Sequence, residues 1–262
     1  MAWATWIVVS LPVPAKIRAR TLDARISDMS TPTDQTLAAL LAHIEPGKVW
    51  RSIFDDRGQL LAAGYGDPHD GLGQIRGLDF RDKTVADLGC NLGHYSQLAL
   101  AHGARLVNGY ERDARLCQGA ILYAKARGYD NVRFLRRDFV ASPPLRQYDM
   151  VMLIDFIGKQ TVSQGRLPRV LDALERFSRK EIVLTIRPRY RVVKDLRTTQ
   201  AALDALHGPG YVRGGHFFVL RYVVQYLAPA WRALPLPHPL GVEAKIPIRF
   251  VSAQSPRAQR AR

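Results

Sequence analysis

The sequence predicts an α/β fold, in which a doubly wound, mostly parallel β-sheet carries helices on both faces. Short apolar runs alternate with segments of helical periodicity along most of the 262 residues. The run at residues 85–88 leads into a loop with glycines at positions 89 and 93, and a helical pattern follows. The next run ends in an acid, Glu111, eighteen residues after Gly93. Strand, glycine loop, helix, strand and acid, in this order, are typical of a nucleotide-binding βαβ unit.

The glycine loop indicates which nucleotide this unit would bind. Gly89 and Gly93 are separated by three residues, so the Gly-x-Gly-x-x-Gly pattern that receives a pyrophosphate is missing. No Gly-Lys-Ser/Thr follows, which excludes a P-loop. A carboxylate at Asp87 would repel a pyrophosphate but suits a cationic amino-acid group, and Glu111 can accept both ribose hydroxyls. The ligand that fits is a nucleoside with an ammonium group and no phosphate, which describes S-adenosylmethionine.

Four segments resemble the class I S-adenosylmethionine-dependent methyltransferases. The sequence DLGCNLG at 87–93 resembles their motif I, and Glu111 matches the acid after their second strand. Residues 131–139 resemble their third strand and residues 148–155 their fourth. The resemblance covers about residues 49–188, and it implies a Rossmann-like, seven-stranded sheet with S-adenosylmethionine as the cofactor.

The resemblance also implies a set of site residues. The expected cofactor-binding residues are Asp87, Gly89, Cys90, Asn91, Gly93, Glu111, Arg112, Asp138, Phe139 and Ile154. Asp138 would meet the adenine edge through its side chain and Phe139 through its backbone N–H, while Arg112 would pack near the adenine or be exposed. The catalytic residue is unknown, and the candidates are Asp155, His94 and Tyr95. Asp155 is a candidate base or substrate ligand, or it caps a turn.

The core is most similar to the tRNA wobble-uridine carboxymethyltransferases, in residues 103–118 and 83–87. The sequence IDFIGK at 154–159 replaces that family's Tyr-His-Arg-Arg-like loop, so the similarity extends to the core and not to the reaction. The fourth strand also lacks the signatures of amino-methylating and cytosine C5 enzymes. We expect a small or medium organic acceptor, because no separate RNA-binding domain is visible. An RNA methyltransferase and a non-catalytic binding protein with this fold are the alternatives.

Composition limits the partners and the compartment. The formal net charge is +15, which permits a polyanionic partner but also describes a solvated basic surface. A basic cluster at residues 187–197 follows the fifth strand, where it would hold phosphates or an acceptor carboxylate, or simply be solvated. The two cysteines show no spacing typical of metal ligands or of a disulfide framework, which indicates a reducing cytoplasm and no bound metal. No apolar run is long enough to span a membrane.

The pattern divides the chain into four parts. Residues 1–28 are predicted to be an extension outside the fold, 29–82 an N-terminal helical cap and strand, 83–252 the methyltransferase domain and 253–262 a basic, disordered tail. The expected helices lie at 32–43, 94–103, 113–127, around 167–177 and at 194–207, and the expected strands include 49–56, 181–186 and 245–252. Residues 217–231 are expected to form a short strand that runs into a helix.

Overall fold

The structure is a computed structural model that describes residues 32–45, 47–55, 57–66, 75, 77–236 and 245–253. The predicted extension at 1–28 and, apart from Ala253, the predicted basic tail lie outside the described residues. Among the described residues, no helix is both long and apolar enough to cross a bilayer.

Helices and strands alternate through the middle of the chain. The helices are α1 (Pro32–Leu41), α2 (His94–Ala101), α3 (Ala114–Ala126), α4 (Lys159–Ser163), α5 (Leu167–Phe177), α6 (Gln200–His207) and α7 (Val219–Leu227). The strands are β1 (Ile53–Phe54), β2 (Leu60–Ala62), β3 (Thr84–Leu88), β4 (Leu106–Glu111), β5 (Val132–Arg136), β6 (Tyr148–Leu153), β7 (Ser178–Ile186), β8 (Tyr190–Arg191), β9 (Val212–Arg213), β10 (His216–Phe217), β11 (Trp231–Pro235) and β12 (Ile246–Ser252).

A seven-stranded sheet forms the centre, in the order β11-β12-β7-β6-β3-β4-β5. The five strands from β7 to β5 are parallel, whereas β12 runs antiparallel to both β7 and β11. The predicted Rossmann-like, mostly parallel, seven-stranded sheet is therefore confirmed. From β3 the chain proceeds to β4 and β5 on one side and then returns to β6 and β7 on the other. This reversal opens a crevice at the carboxyl ends of β3 and β6, which is where ligands bind in open α/β sheets.

Burial on both faces of the sheet explains why the central strands are continuous apolar runs in the sequence. Every residue of β3 and of β6 is buried, as is expected of parallel strands that helices cover on both sides. One face packs against α5 and α7, and the other packs against α2. A third apolar cluster joins α1 to α3 and to β1, so the N-terminal elements rest on the sheet's own helices.

The structure differs from the sequence prediction at three places. The helix expected at 194–207 starts only at Gln200, because Thr199 caps it by accepting a hydrogen bond from the N–H of Ala202. The strand expected at 49–56 shortens to β1, which pairs with β2 in a hairpin. Strands β8, β10 and β9 form a separate three-stranded antiparallel sheet that the sequence did not predict, since two-residue strands carry no periodic signal.

Candidate active site

A cleft of about 800 Å³ lies at the carboxyl ends of β3, β4 and β6. The loops that follow these strands supply most of its wall, together with the segment before β1 and the start of α5. The predicted site residues that line it are Asp87, Gly89, Cys90, Asn91, Glu111, Arg112, Asp138, Phe139, Ile154, His94, Tyr95 and Asp155. Gly93 does not line the cleft; it precedes α2 with a φ of 76°, which a residue without a Cβ atom adopts readily.

The glycine loop brings backbone close to the cleft. Gly89 has a φ of 68°, and a Cβ atom there would lie 2.7 Å from the ring of Phe156. Phe156 in turn packs edge-on against Phe139, with ring centroids 5.1 Å apart. A larger residue at position 89 would thus be strained in its backbone and would displace the aromatic side of the cleft.

Glu111 is buried at the end of β4, and backbone N–H groups fix its carboxylate. Its Oε2 accepts a hydrogen bond from the N–H of Asn91 at 3.0 Å, and its Oε1 accepts one from the N–H of Asp113 at 2.9 Å. Each carboxylate oxygen has a second lone pair, so both retain the capacity to accept another hydrogen bond. Two neighbouring acceptors held at one angle match two vicinal hydroxyl groups.

Asp87 is also buried, and its neighbourhood is poor in donors. Its Oδ2 accepts a hydrogen bond from the hydroxyl of Ser96 at 2.7 Å. Burial raises the pKa of Asp87 to about 6; the hydrogen bonds from Ser96 lower it and the charge of Glu111 raises it further. An additional positive group in the cleft would favour the ionised form, so Asp87 is suited to meet a cation.

Asp155 lies two residues after the end of β6, and four groups hold its carboxylate. Oδ2 accepts hydrogen bonds from the indole Nε1 of Trp50 at 2.7 Å and from Arg51 at 2.8 Å. Oδ1 accepts hydrogen bonds from Lys245 at 2.9 Å and from the hydroxyl of Thr185 at 3.3 Å. Burial raises the pKa of Asp155, but the charges of Lys245 and Arg51 and these hydrogen bonds outweigh it and hold the pKa below its ordinary value. A carboxylate in this state is a poor proton acceptor at neutral pH.

The segment at residues 48–51 forms a wall of the cleft that the sequence did not predict. Asn91 holds it from the glycine loop: its Nδ2 donates to the carbonyl of Lys48 at 2.7 Å, and its Oδ1 accepts from the N–H of Trp50 at 3.2 Å. Arg51 donates to the hydroxyl of Tyr95 at 2.8 Å as well as to Asp155. In the sequence, only the pair Trp50-Arg51 pointed to a site in this segment, and nothing near it indicated that Asp155 would be its partner.

The remaining predicted residues occupy different positions around the cleft. Asp138 is exposed and caps its own turn, since its Oδ1 accepts hydrogen bonds from the N–H groups of Val140 and Ala141. Phe139 is buried beside the cleft, and Arg112 is exposed at its rim. The ring of His94 meets that of Tyr95 edge-on, and burial raises the pKa of the Cys90 thiol.

The basic residues that line the cleft are not those of the predicted cluster at 187–197. None of residues 187–197 belongs to its lining, and Tyr190 is buried, so its ring cannot stack on a base from solution. Arg137, Arg166 and Arg169 line the cleft instead. In the described part of the chain, no group of three or more histidine, cysteine, aspartate or glutamate side chains could hold a metal ion.

Solved structures share this architecture. No protein-family model matches the chain, and a search of curated proteins finds no significant match. The chain is similar to the N-methyltransferase NodS from Bradyrhizobium japonicum WM9 in complex with S-adenosyl-L-homocysteine, with a TM-score of 0.51 and 13% identity over 86% of this chain and 100% of that one. It is also similar to WbdD, with a TM-score of 0.52 and 14% identity over 82% of this chain and 46% of that one.

The chain has the fold of class I S-adenosylmethionine-dependent methyltransferases. Identities this low establish the architecture alone, so the activity rests on the residues of the cleft.

Proposed function

We propose that the protein is an S-adenosylmethionine-dependent methyltransferase with a small or medium organic acceptor. The observation that carries the proposal is Glu111, which presents two oriented acceptor oxygens beside the glycine loop. Asp87, buried and with a raised pKa, supplies the negative group that the ammonium of the cofactor would meet. Asp87 is the last residue but one of β3, Glu111 ends the neighbouring parallel strand β4, and the Cα atoms of Asp87 and Gly109 are paired between these strands. Glu111 would therefore meet the ribose at one end of the ligand, and Asp87 would meet the amino-acid group at the other.

The residues of the cleft fit such a transfer without a strong base. When it is bound, the cofactor supplies an electrophilic methyl group on sulfur. The protein then has to align the acceptor and to exclude water, which are effects of positioning and desolvation. Asp155 holds Trp50 and Arg51 in place and thereby shapes the wall of the cleft. Of the three catalytic candidates, His94 and Tyr95 are those that we propose for proton transfer, because both line the cleft and the lowered pKa of Asp155 makes its carboxylate a poor proton acceptor.

The size of the cleft supports a small acceptor. Ligand pockets for small molecules typically measure roughly 300–1,000 Å³, and the cleft, at about 800 Å³, is near the upper end of that range. A cofactor and a small acceptor can therefore share it.

Calorimetric titration of the full chain with S-adenosylhomocysteine tests the proposal. We expect saturable binding, much weaker binding of NAD, and a loss of about 1–3 kcal/mol in Glu111→Gln, because the variant no longer presents two charged acceptors. Asp130→Asn is the matched control, since Asp130 is an exposed carboxylate outside the cleft lining. Absence of binding by the unaltered protein would reject the proposal. Binding without transfer to any acceptor in a cell extract would favour a non-catalytic binding protein.

A further inference from the structure

We propose that the acceptor carries an anionic group, a carboxylate or a phosphate, and that Arg137, Arg166 and Arg169 bind it. This inference rests on the proposed function for the methyl donor, and it adds the chemical class of the acceptor. All three arginines line the same cleft as Asp87 and Glu111.

The three arginine side chains are available to a ligand. Within the described residues, none of them makes an ion pair or a side-chain hydrogen bond, and all three are exposed to solvent in the cleft. Some exposed arginines elsewhere in the described chain do have acidic partners, such as Arg81 with Asp79 and Arg191 with Asp195. An unpaired guanidinium in a concave site presents a rigid fork of donors that matches a carboxylate or a phosphate.

The acids of the cleft cannot neutralise these arginines, because each acid has another role. Asp155 is paired with Arg51 and Lys245, and Asp113 pairs with Lys48 and caps α3. Hydrogen bonds hold the remaining acids. Asp87 accepts one from Ser96, and Glu111 accepts two from the backbone N–H groups at positions 91 and 113. Asp138 accepts two from the backbone N–H groups at positions 140 and 141. The cleft therefore contains acids in fixed positions and arginines without partners.

The start of α5 fixes two of the arginines beside each other. Arg166 is the N-cap of α5 and Arg169 is three residues further on, so both project from the same side of the first turn. Leu167 and Val170, the residues next to them, are buried in the core and anchor this turn. Arg166 makes no side-chain cap, so the positive end of the helix dipole adds to the charge of the two guanidinium groups.

A small anion fits this arrangement better than RNA does. The arginines line one concave cleft, whereas a nucleic-acid surface places its basic residues along an extended track. The exposed residues of the cluster at 187–197 would belong to such a track, and they do not line the cleft. An anionic metabolite can place its charge on the arginines and its nucleophilic atom nearer to the acids.

Titration with small anions tests this inference. The full chain, with and without saturating S-adenosylhomocysteine, would be titrated with inorganic phosphate and separately with succinate, which distinguishes a phosphate from a carboxylate acceptor. We expect at least one of the two to bind, and Arg166→Gln and Arg169→Gln each to weaken it about tenfold, since each removes a charged hydrogen bond. Arg105→Gln is the matched control. Arg105 is exposed and directly precedes β4, so it lies at the amino end of that strand, whereas the cleft lies at the carboxyl end.

A second measurement identifies the acceptor class directly. Transfer of a labelled methyl group would be followed into the small molecules of a cell extract, separated by anion exchange, and into total RNA. Label in a retained small-molecule fraction, reduced in the two variants but not in Arg105→Gln, supports the inference.

Label in neutral or cationic molecules or in RNA overturns it, as does failure of both anions to bind. An equal loss of S-adenosylhomocysteine affinity in the variants would assign the arginines to the cofactor and would also overturn it. If the unaltered protein does not bind S-adenosylhomocysteine, the proposed function fails, while the anion titration without it still decides the arginine site.

Discussion

The carboxyl group of Asp87 couples the stability of the fold to the site. Its pKa is about 6 in the folded protein, against an ordinary value of 3.8, because burial of the side chain raises the pKa by more than the hydrogen bonds from Ser96 lower it. Between these values the folded state keeps a proton that the unfolded state has lost. The contribution of Asp87 to stability is therefore largest below about pH 4 and falls as the pH rises through 6. At neutral pH the apoprotein holds a buried charge that a cationic ligand would stabilise further.

We predict that Asp87→Asn stabilises the apoprotein at pH 7 and weakens its binding of S-adenosylhomocysteine. A shift of two pKa units corresponds to about 3 kcal/mol, so we expect a gain of about 1–3 kcal/mol in the free energy of unfolding. Urea unfolding at pH 4 and at pH 7 measures it, and the gain should vanish at pH 4, where the carboxyl of the unaltered protein is protonated. The exposed Asp130→Asn serves as control. A gain that is equal at both pH values would mean that ionisation of Asp87 is not its cause.

Elements that are remote in sequence meet at the wall of the cleft. The segment at 48–51 has no regular secondary structure, and it is held by the glycine loop through Asn91 and by the end of β6 through Asp155. Lys245, which directly precedes β12, reaches the same carboxylate. Asp155 has a φ of 58°, which is uncommon for a residue other than glycine, and the surrounding contacts compensate for that conformation.

We predict that Arg51→Met destabilises the protein by about 3 kcal/mol. The side chains of Arg51 and Asp155 are only 4% and 3% exposed, and removal of one partner leaves a buried charge less well compensated. Hydrogen exchange of the amides at 48–54 should accelerate, because this contact ties the segment to the sheet. Arg81→Gln is the control, since its pair with Asp79 is exposed and should contribute less than about 1 kcal/mol. Equal effects of the two substitutions would show that the Asp155 contacts do not hold the wall.

The charge of the whole molecule is a separate property from the charge of the cleft. The net charge of +15 creates a positive potential that attracts any polyanion. Part of it lies on the small sheet formed by β8, β9 and β10 and in the turn after β8, where Arg191, Lys194 and Arg213 are exposed. These residues do not line the cleft, so their effect on RNA binding can be separated from their effect on methyl transfer.

We predict that single-stranded RNA binds without sequence preference at low salt and is released as salt increases. The slope of log affinity against log salt should be about −0.7 for each phosphate contact, and Lys194→Ala and Arg213→Ala should each make it shallower by about one contact. Filter binding across a range of salt concentrations measures the slope. Cofactor affinity and methyl transfer should not change in either variant. Affinity that is independent of salt, or loss of transfer in these variants, would contradict this separation.

Most of the sheet could be predicted because its signals are local. Buried parallel strands appear as continuous apolar runs, and a cap or a glycine marks where several of the helices begin or end, as Asp113 does for α3. The small sheet of β8, β9 and β10 could not be predicted in this way, because its strands have two residues each and β8 pairs with β10 across a long stretch of chain, as Tyr190 does with Phe217, 27 positions away.

The sequence by itself determined the βαβ unit and the two acids near the ends of β3 and β4, since a strand, a glycine loop and a helix follow one another directly in the chain. Only the tertiary structure decided what Asp155 does, because its partners Trp50 and Lys245 lie 105 and 90 positions away. It also decided which arginines reach the cleft. The positions of arginines along the chain do not show which of them line a site and which face solvent. The packing of α5 against the sheet is what places Arg166 and Arg169 at the cleft.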